Sequence, residues 1–529
     1  MKKRVMTQAL GGLAVLGAAL AATPAAAAVS GEALMRSKCT TCHVEENGVF
    51  SRISNQRKTP EGWLMSVARM QIMHGLKITD EERRSVVKYL ADTQGLAPSE
   101  TEGRRYALER RLNTPESFDS EQFEQMCARC HSGARVLLQR RAPEDWEKLV
   151  HFHLGQYPTT EYQMWGRDRD WFSVALKEVA PDLSKTLPLQ TEAWRAWRAA
   201  TPPKVDGKWT VSGHMPSRGG FTGVMTVGKG AGKDQHTVAF EGAWNDGTPM
   251  KGSGRALIYT GYEWRAELKI DGTPMRQVLA VDGGVMRGRM FQRDQDEIGA
   301  DFTASRQQAG NSRVLSVYPA YLKAGTEAEL QIVGSELSGD VALAKGIEVL
   351  EVVSRSPSRV VVKVRAGAEV RGVGEVAVGK ASGGALAVYE RIDAIKVVPE
   401  FAVARIGGEG ASTPKVEARF DAEAWAAGAD GVAGTADDYR IGVFPAKWSV
   451  APFDEAAARD KDAEFAGVMS ADRGVFVPAG AGPNPARRMM TNNAGNLKVV
   501  AEVAQGDTAV RGEGHMIVTV QRWNNPPIP

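Results

Sequence analysis

Two short stretches of the 529-residue chain have the residue types and spacing to hold a redox-active metal. They are Cys39-Thr40-Thr41-Cys42-His43 and Cys127-Ala128-Arg129-Cys130-His131, and together they contain all four cysteines. Both have the form C-x-x-C-H, the arrangement of c-type haem attachment. Residues three apart on a helix share a face, so both thiols can form thioethers with one haem while the adjacent imidazole reaches the iron. A redox dithiol belongs near a βαβ pattern, which is not seen here, and zinc gives no reason for a His directly after both pairs. A pair of disulfides leaves the same His unexplained. The pattern predicts two covalently attached haems c, with His43 and His131 as proximal iron ligands.

Haem iron in an electron-transfer cytochrome takes a second axial ligand, and an internal repeat locates candidates. Thr59-Pro60-Glu61-Gly62-Trp63 follows the first motif and Ala142-Pro143-Glu144-Asp145-Trp146 follows the second, so P-E-x-W occurs twice. Seven residues beyond each Trp stand Met70 and His153. Seven residues is close to two helical turns, which keeps Trp and ligand on one face. Met70 and His153 are therefore assigned as distal ligands, with His74 the runner-up for Met70. Met65 and Met73 compete in the first copy, and His151 and Met164 in the second. Met is also a common core filler, and a lone His more often serves packing than metal.

These residues need helices to position them. Thr79 followed by Glu82 is a capping box, and Val86, Val87 and Leu90 then recur at helical spacing before Gly95 and Pro98. Phe123, Met126, Cys127 and Cys130 fall on one helical face, and helices also suit Trp171 to Val179 and Glu192 to Ala199. After Thr201-Pro202-Pro203, short β-rich runs alternate with Gly-containing turns, as in Lys208 to Ser212, Gly223 to Val227 and Arg255 to Tyr259. Later runs include Leu330 to Val333 and Val360 to Val364. The fold class expected is multidomain: an α-helical dihaem cytochrome c domain followed by all-β domains, a β-barrel and two immunoglobulin-like sandwiches. The boundaries expected are 29–203 for the haem domain, in tandem units of about 29–98 and 99–203, then 204–308, 309–398 and 399–529.

Lys2, Lys3 and Arg4, the apolar stretch Ala9 to Ala22 and Ala26-Ala27-Ala28 read as a cleaved signal peptide over 1–28, placing the mature chain in the periplasm. No further stretch is long and apolar enough to span a membrane. With 66 basic and 63 acidic side chains, the charge of +3 gives no reason to expect a nucleic-acid partner. The β regions hold only His214, His236 and His515, isolated in sequence, and no catalytic residue is assigned. Asp430 to Asp438 has an acidic, glycine-rich look but lacks the spacing of a calcium loop, and is expected to be a solvated turn.

Several further stretches, together with the haem motifs, carry a resemblance: Tyr259-Thr260-Gly261-Tyr262-Glu263-Trp264-Arg265, Gly434 to Asp438, Gly482-Pro483-Asn484-Pro485-Ala486-Arg487 and Val520 to Pro527. With them the mature chain resembles the α subunit of quinohemoprotein amine dehydrogenase along its length. The resemblance implies a heterotrimer with a β-propeller subunit and a small subunit bearing a tryptophan-derived quinone crosslinked by cysteines. It implies oxidation of primary amines to aldehydes and ammonia, with azurin or a soluble cytochrome c as external acceptor. Cys39, Cys42, Cys127 and Cys130 carry over as thioether sites and His43 and His131 as proximal ligands. No quinone residue carries over, because no cysteine is left for such crosslinks. Two other classes fit the motifs alone: a stand-alone dihaem carrier with β adhesion domains, and a dihaem peroxidase with one open iron site. Alkaline pyridine spectra of the purified chain are expected to give two c-type haems, and Cys127→Ala with Cys130→Ala to leave one. A variant still holding two covalent haems contradicts the reading of the second motif.

Overall fold

Pro60 and Pro143 each take the first position of a helix, Pro60–His74 and Pro143–Gln156, where the missing N–H has no intrahelical partner to lose. The structure, a computed structural model, describes residues 29–105, 116–157, 160, 170–408, 411 and 413–520. Residues 1–28, expected to be a signal peptide, Met164 and all but the first residue of the Val520 to Pro527 stretch lie outside the described residues. The two Pro-started helices occupy equivalent places in two units. Each unit begins with a short helix passing into a π-helical turn, Gly31–Leu34 into Met35–Cys39 and Glu121–Phe123 into Glu124–Ala128. Each ends in a further helical run, Asp80–Thr93 in the first and Trp171–Val174, Ala175–Val179 and Ala180–Thr186 in the second. The Thr79 capping box is present on both sides, and Glu192–Ala199 is helical as its pattern predicts.

The units are joined by their own repeat. Gln56–Lys58 pairs antiparallel with Gln139–Arg141, with Arg57 opposite Arg140 at the centre of the register. Each strand then binds the end of its own unit's last helix, Lys58 N–H donating to Gln94 O and Arg141 N–H to Leu187 O. The two central arginines are buried and share one carboxylate. Glu100 accepts from both terminal nitrogens of Arg57, at 2.9 and 3.0 Å, and pairs with Arg140 Nε at 3.0 Å. It also accepts from Ala97 N–H at 2.7 Å and Thr191 Oγ1 at 2.9 Å. Burial pushes the Glu100 carboxyl up, but these hydrogen bonds and charges outweigh it and hold the group below the usual carboxylate range.

Eight strands from Gly207–Met215 to Gln295–Arg306 follow as a sequential antiparallel meander, which closes where the last pairs with the first. The three early β-runs expected from sequence lie within its strands. The barrel interior is filled by Trp209, Phe221, Met225, Trp264, Leu279 and Phe302 among others, so it is a packed core. Between its strands Pro249–Tyr259 and Glu263–Ile270 a three-residue turn reaches into the helical units. Thr260 N–H donates to Asp92 Oδ1, Thr260 Oγ1 to Ala91 O and the Tyr262 hydroxyl to Leu96 O. Gly95 is required beneath this turn, since a Cβ there would lie 2.6 Å from Thr260 Oγ1 and 2.3 Å from Ala91 O.

Beyond the barrel, the strands from Arg313–Tyr318 to Ala381–Tyr389 form one eight-stranded sheet, mostly antiparallel but with Arg313–Tyr318 and Tyr321–Lys323 parallel to Ala381–Tyr389, on a core that includes Leu330, Ile332, Val360, Val362, Val376, Val378 and Leu386. A last region from Ala394–Val398 to Thr508–Thr519 has three smaller sheets on a core containing Phe420, Trp448 and Phe476. Its Asp421 anchors to the barrel, accepting from His214 Nε2 at 2.7 Å and Ser217 N–H at 2.9 Å. Among the described residues no helix is long and apolar enough to cross a membrane.

Removing the Glu100 charge leaves two buried guanidinium groups without their shared counterion. Glu100→Gln is expected to lower unfolding free energy by about 3–5 kcal/mol, the usual cost of breaking a buried ion pair, measured by denaturant titration. Because the folded-state value is depressed, the Glu100 contribution is present above the ordinary carboxylate range and is lost as pH falls through the lower folded value. The gap between parent and variant should therefore close in acid, and a gap that persists unchanged there removes the charge from the explanation.

Candidate haem sites

In the first unit, Cys39 closes the π-helical turn and the chain stays helical just long enough to carry the motif. The Cys42 and His43 N–H groups both donate to Cys39 O, at 3.2 and 2.9 Å. The first motif thus runs through one wide turn and one tight turn rather than a uniform α-helix, and in the second the wide turn Glu124–Ala128 ends before Cys130. His43 Nδ1 lies 2.8 Å from Ser51 O. A carbonyl only accepts, so the proton sits on Nδ1 and Nε2 keeps the lone pair that an iron requires. Cys39 packs with Met35, Trp63, Leu76 and Ile78.

Leu76 and Ile78 belong to the segment that leaves the Pro60–His74 helix. The helix stops at Gly75, whose left-handed backbone (φ 71°) lets Leu76 N–H return to Met70 O at 3.0 Å. This turn carries the chain past Cys39. Met70 and His74 stand one turn apart on one face of the helix, Met70 partly buried and His74 exposed. Trp63 is buried two turns earlier, its indole N–H donating to Gln94 O.

The second site is assembled more tightly. His153 Nδ1 lies 2.8 Å from Leu149 O, again fixing the proton on Nδ1. Its ring sits 5.8 Å from that of Trp171, whose indole N–H donates at 3.0 Å to Met126 O, next to Cys127. Burial pushes the His153 pKa down, and the nearby charges of His131, Arg135 and Arg69 add to this. His131 and His153 are thus close enough to feel one another's charge, and His131 Nδ1 lies 3.0 Å from Ser132 O. The rival His151 is exposed and packs edge-on against Phe172.

Burial pushes Cys127 up to about 12 and also raises Cys39 and Cys130, the opposite of the lowered thiolate a redox dithiol uses. Among the described residues no three His, Cys, Asp or Glu side chains converge as a metal-ion site, as zinc would need. In the β regions each histidine has a local partner: His214 with Asp421, His236 with Asp206 and His515 with Asn496. The carboxylates of Asp430 and Asp438 cap backbone N–H groups of their own turn, and Asp437 accepts from Thr435.

Sequence patterns missed Ser51 and Leu149, whose backbone carbonyls orient two imidazoles, and Trp171, which links His153 to the second motif. Backbone carbonyl acceptors of this kind have no side-chain signature. Arg57 and Arg140 were findable, because the repeat extends upstream as Gln56-Arg57-Lys58 and Gln139-Arg140-Arg141.

Four family models match along the chain. They are described as quinohemoprotein amine dehydrogenase A, alpha subunit, haem binding, over residues 29–194, and as quinohemoprotein amine dehydrogenase alpha subunit domain II over 202–307, domain III over 311–390 and domain IV over 395–528. No curated protein matches. Similar solved structures include a redesigned beta barrel, mFAP1, at 18% identity, covering 20% of this chain and 94% of that one, with a TM-score of 0.17. Drosophila N-cadherin EC1-3 is 7% identical, with coverage of 55% and 91% and a TM-score of 0.21. The Bacteroides ovatus glucan-utilization protein SGBP-B is 8% identical, with coverage of 59% and 60% and a TM-score of 0.20. These structural likenesses carry no argument about function.

Met70 and His74 are separated by replacing the thioether. Thioether ligation favours ferrous iron relative to a second imidazole. Met70→His is expected to lower the higher haem potential and to abolish sulfur-to-iron absorption at the red end of the oxidised spectrum. If both are untouched, Met70 is not the ligand and His74 becomes the candidate.

Proposed function

The chain belongs to the quinohemoprotein amine dehydrogenase α-subunit family, and from that membership we propose that it is the dihaem electron-transfer subunit of a periplasmic amine dehydrogenase. The observation that carries this reading is the pair of C-x-x-C-H motifs, each with an imidazole whose Nδ1 is held by a backbone carbonyl. Cys39, Cys42, Cys127 and Cys130 would hold two haems c, His43 and His131 would ligate from one side, and Met70 and His153 from the other. The domains would be 29–203 for the haems, 204–308 for the barrel, and 309–398 and 399–529 for the two sandwiches.

The chemistry that haem supplies when bound is one-electron transfer, which suits the stepwise emptying of a two-electron-reduced quinone. Amine oxidation of this kind needs a carbonyl that forms a Schiff base and a base that removes an α-proton. This chain assigns no residues to those roles, so the amine-oxidising quinone belongs on the small partner subunit, beside a β-propeller subunit in a heterotrimer. The acceptor would be azurin or a soluble cytochrome c. Within the chain, Ser51 O and Leu149 O orient His43 and His153. Arg57, Arg140 and Glu100 fix one unit against the other, and the Tyr259 to Tyr262 turn fixes both against the barrel. The β regions thereby serve as the frame that sets cofactor separation, on which electron transfer depends.

The isolated chain with both haems is expected to be reduced by dithionite and not by a primary amine. Adding the quinone-bearing assembly should restore amine-dependent reduction, followed by haem absorbance in a stopped-flow mixer. Rapid reduction of the single chain by amine would place the catalytic site within these residues.

A further inference from the structure

Met489 is the most exposed large hydrophobic side chain among the described residues, at 85%, and its neighbour Met490 is 55% exposed. Both lie in the segment 479–494, which joins the strands Val475–Pro478 and Gly495–Gln505. Their backbones are left-handed, with φ 56° and 53°, a conformation unfavourable for any residue with a Cβ. Two such residues in succession persist only where their surroundings hold them. Here the hold is Arg487, which is buried, donates from Nη1 to Asn492 O at 2.8 Å and to Ala494 O at 2.6 Å, and pairs with Asp462. Asn484 closes the base of the turn, its N–H donating to Thr491 O at 3.0 Å and its side-chain amide to Asn493 Oδ1 at 2.8 Å. The result is a well-braced turn that keeps two thioether side chains in solvent.

Backbone strain and a buried ion pair that serve only to expose apolar surface gain nothing for the isolated chain, so the turn points to a contact. Charge narrows the partner. Segment 479–494 contains two charged residues, Arg487 and Arg488, and no carboxylate. Asp462 meets the first, so Arg488, exposed beside the methionines, is the charge presented outward. A second copy of this chain is a poor match, because a two-fold contact here would set Arg488 against Arg488. A transient electron carrier must approach the candidate haem motifs, which lie in the helical units, whereas this turn belongs to the last region, anchored to the barrel through Asp421. A pocket of fixed shape on a subunit that stays bound makes the fullest use of a preorganised turn.

Resting on the reading that the chain works within a multisubunit amine dehydrogenase, we propose that Met489 and Met490 form a plug for an apolar socket on a resident partner subunit, a socket whose rim carries carboxylate to meet Arg488. The thioether side chains adapt to the contour of the socket while the braced turn supplies position, so little backbone freedom is lost on docking.

The test compares the full chain alone with the complete assembly isolated from cells. Dilute hydrogen peroxide converts exposed methionine to the sulfoxide, and mass spectrometry of peptides reads each site. Met489 and Met490 are expected to oxidise readily in the free chain and to be protected in the assembly. Met489→Gly with Met490→Gly removes both side chains and suits the left-handed backbone, so the unfolding midpoint should hold while association weakens about tenfold or more, followed by sedimentation over a dilution series. Arg488→Glu should weaken association most at low salt. A chain isolated without partner subunits overturns the assembly reading and the plug with it. An assembly in which both methionines oxidise as fast as in the free chain overturns the plug alone, as does association unaffected by the double glycine substitution. Protection that appears instead in a dimer of the free chain assigns the surface to a second copy and overturns the resident subunit as its partner. An Arg488→Glu effect absent at low salt overturns the carboxylate rim.

Discussion

A single carboxylate holds the helical part of the molecule together. Glu100 sits at the centre of a local two-fold arrangement in which Arg57 and Arg140 face each other across paired strands. Two buried guanidinium groups at this distance would repel strongly without it. The hydrogen bonds from Ala97 and Thr191 place the carboxylate, and Thr191 in turn caps the helix Glu192–Ala199. Because each strand also ties to the end of its own final helix, the setting of one motif relative to the other follows from this cluster. That setting is consequently a property of backbone pairing and one shared charge, and not of the motif residues themselves.

The attachment of helices to barrel has a different character. It depends on a turn in which Thr260 has φ 57° and Gly261 φ 80°, pushed into the space that Gly95 leaves open. Arg265, a few residues on, reaches back to Glu61 in the first turn of the Met70 helix, at 3.0 Å. Burial pushes the Glu61 carboxyl up, but Arg265 outweighs it and keeps it low. The corresponding Glu144 of the second unit is exposed and accepts from Asn55, at 3.3 Å. One residue of a repeated motif has thus become a docking group while its twin has stayed at the surface.

Much of this was legible in the sequence where the signal is local. The haem motifs, the capping box at Thr79, the Pro-started helices and the strands of the barrel are all encoded within a few residues, and the structure places them accordingly. The stretch Tyr259 to Arg265, distinctive as sequence, proves to be the helix-to-barrel contact. What escaped was long-range or backbone-borne. Glu100 meets its partners 43 and 91 residues away, and Ser51 acts through a carbonyl that any residue would supply. The π-helical turns before each motif also escaped, since helical periodicity alone does not separate five-residue from four-residue closure. The assignment of Met70 and His153 as distal ligands rests on the repeat alone.

The strand pairing at Arg57 and Arg140 also bears on modularity. A sequence duplicated within one chain has here been used to complete itself: each unit offers a three-residue edge whose natural complement is a rotated near-copy of the same edge. Cut from the chain, a single unit would expose that edge together with an arginine lacking its counterion, and another copy of the same unit offers a matching surface with two-fold symmetry. Covalent tandem linkage turns what would be a homodimer interface into an internal one. It removes concentration dependence and allows the two halves to diverge, as with Met70 in one and His153 at the same repeat position of the other, without losing their common axis.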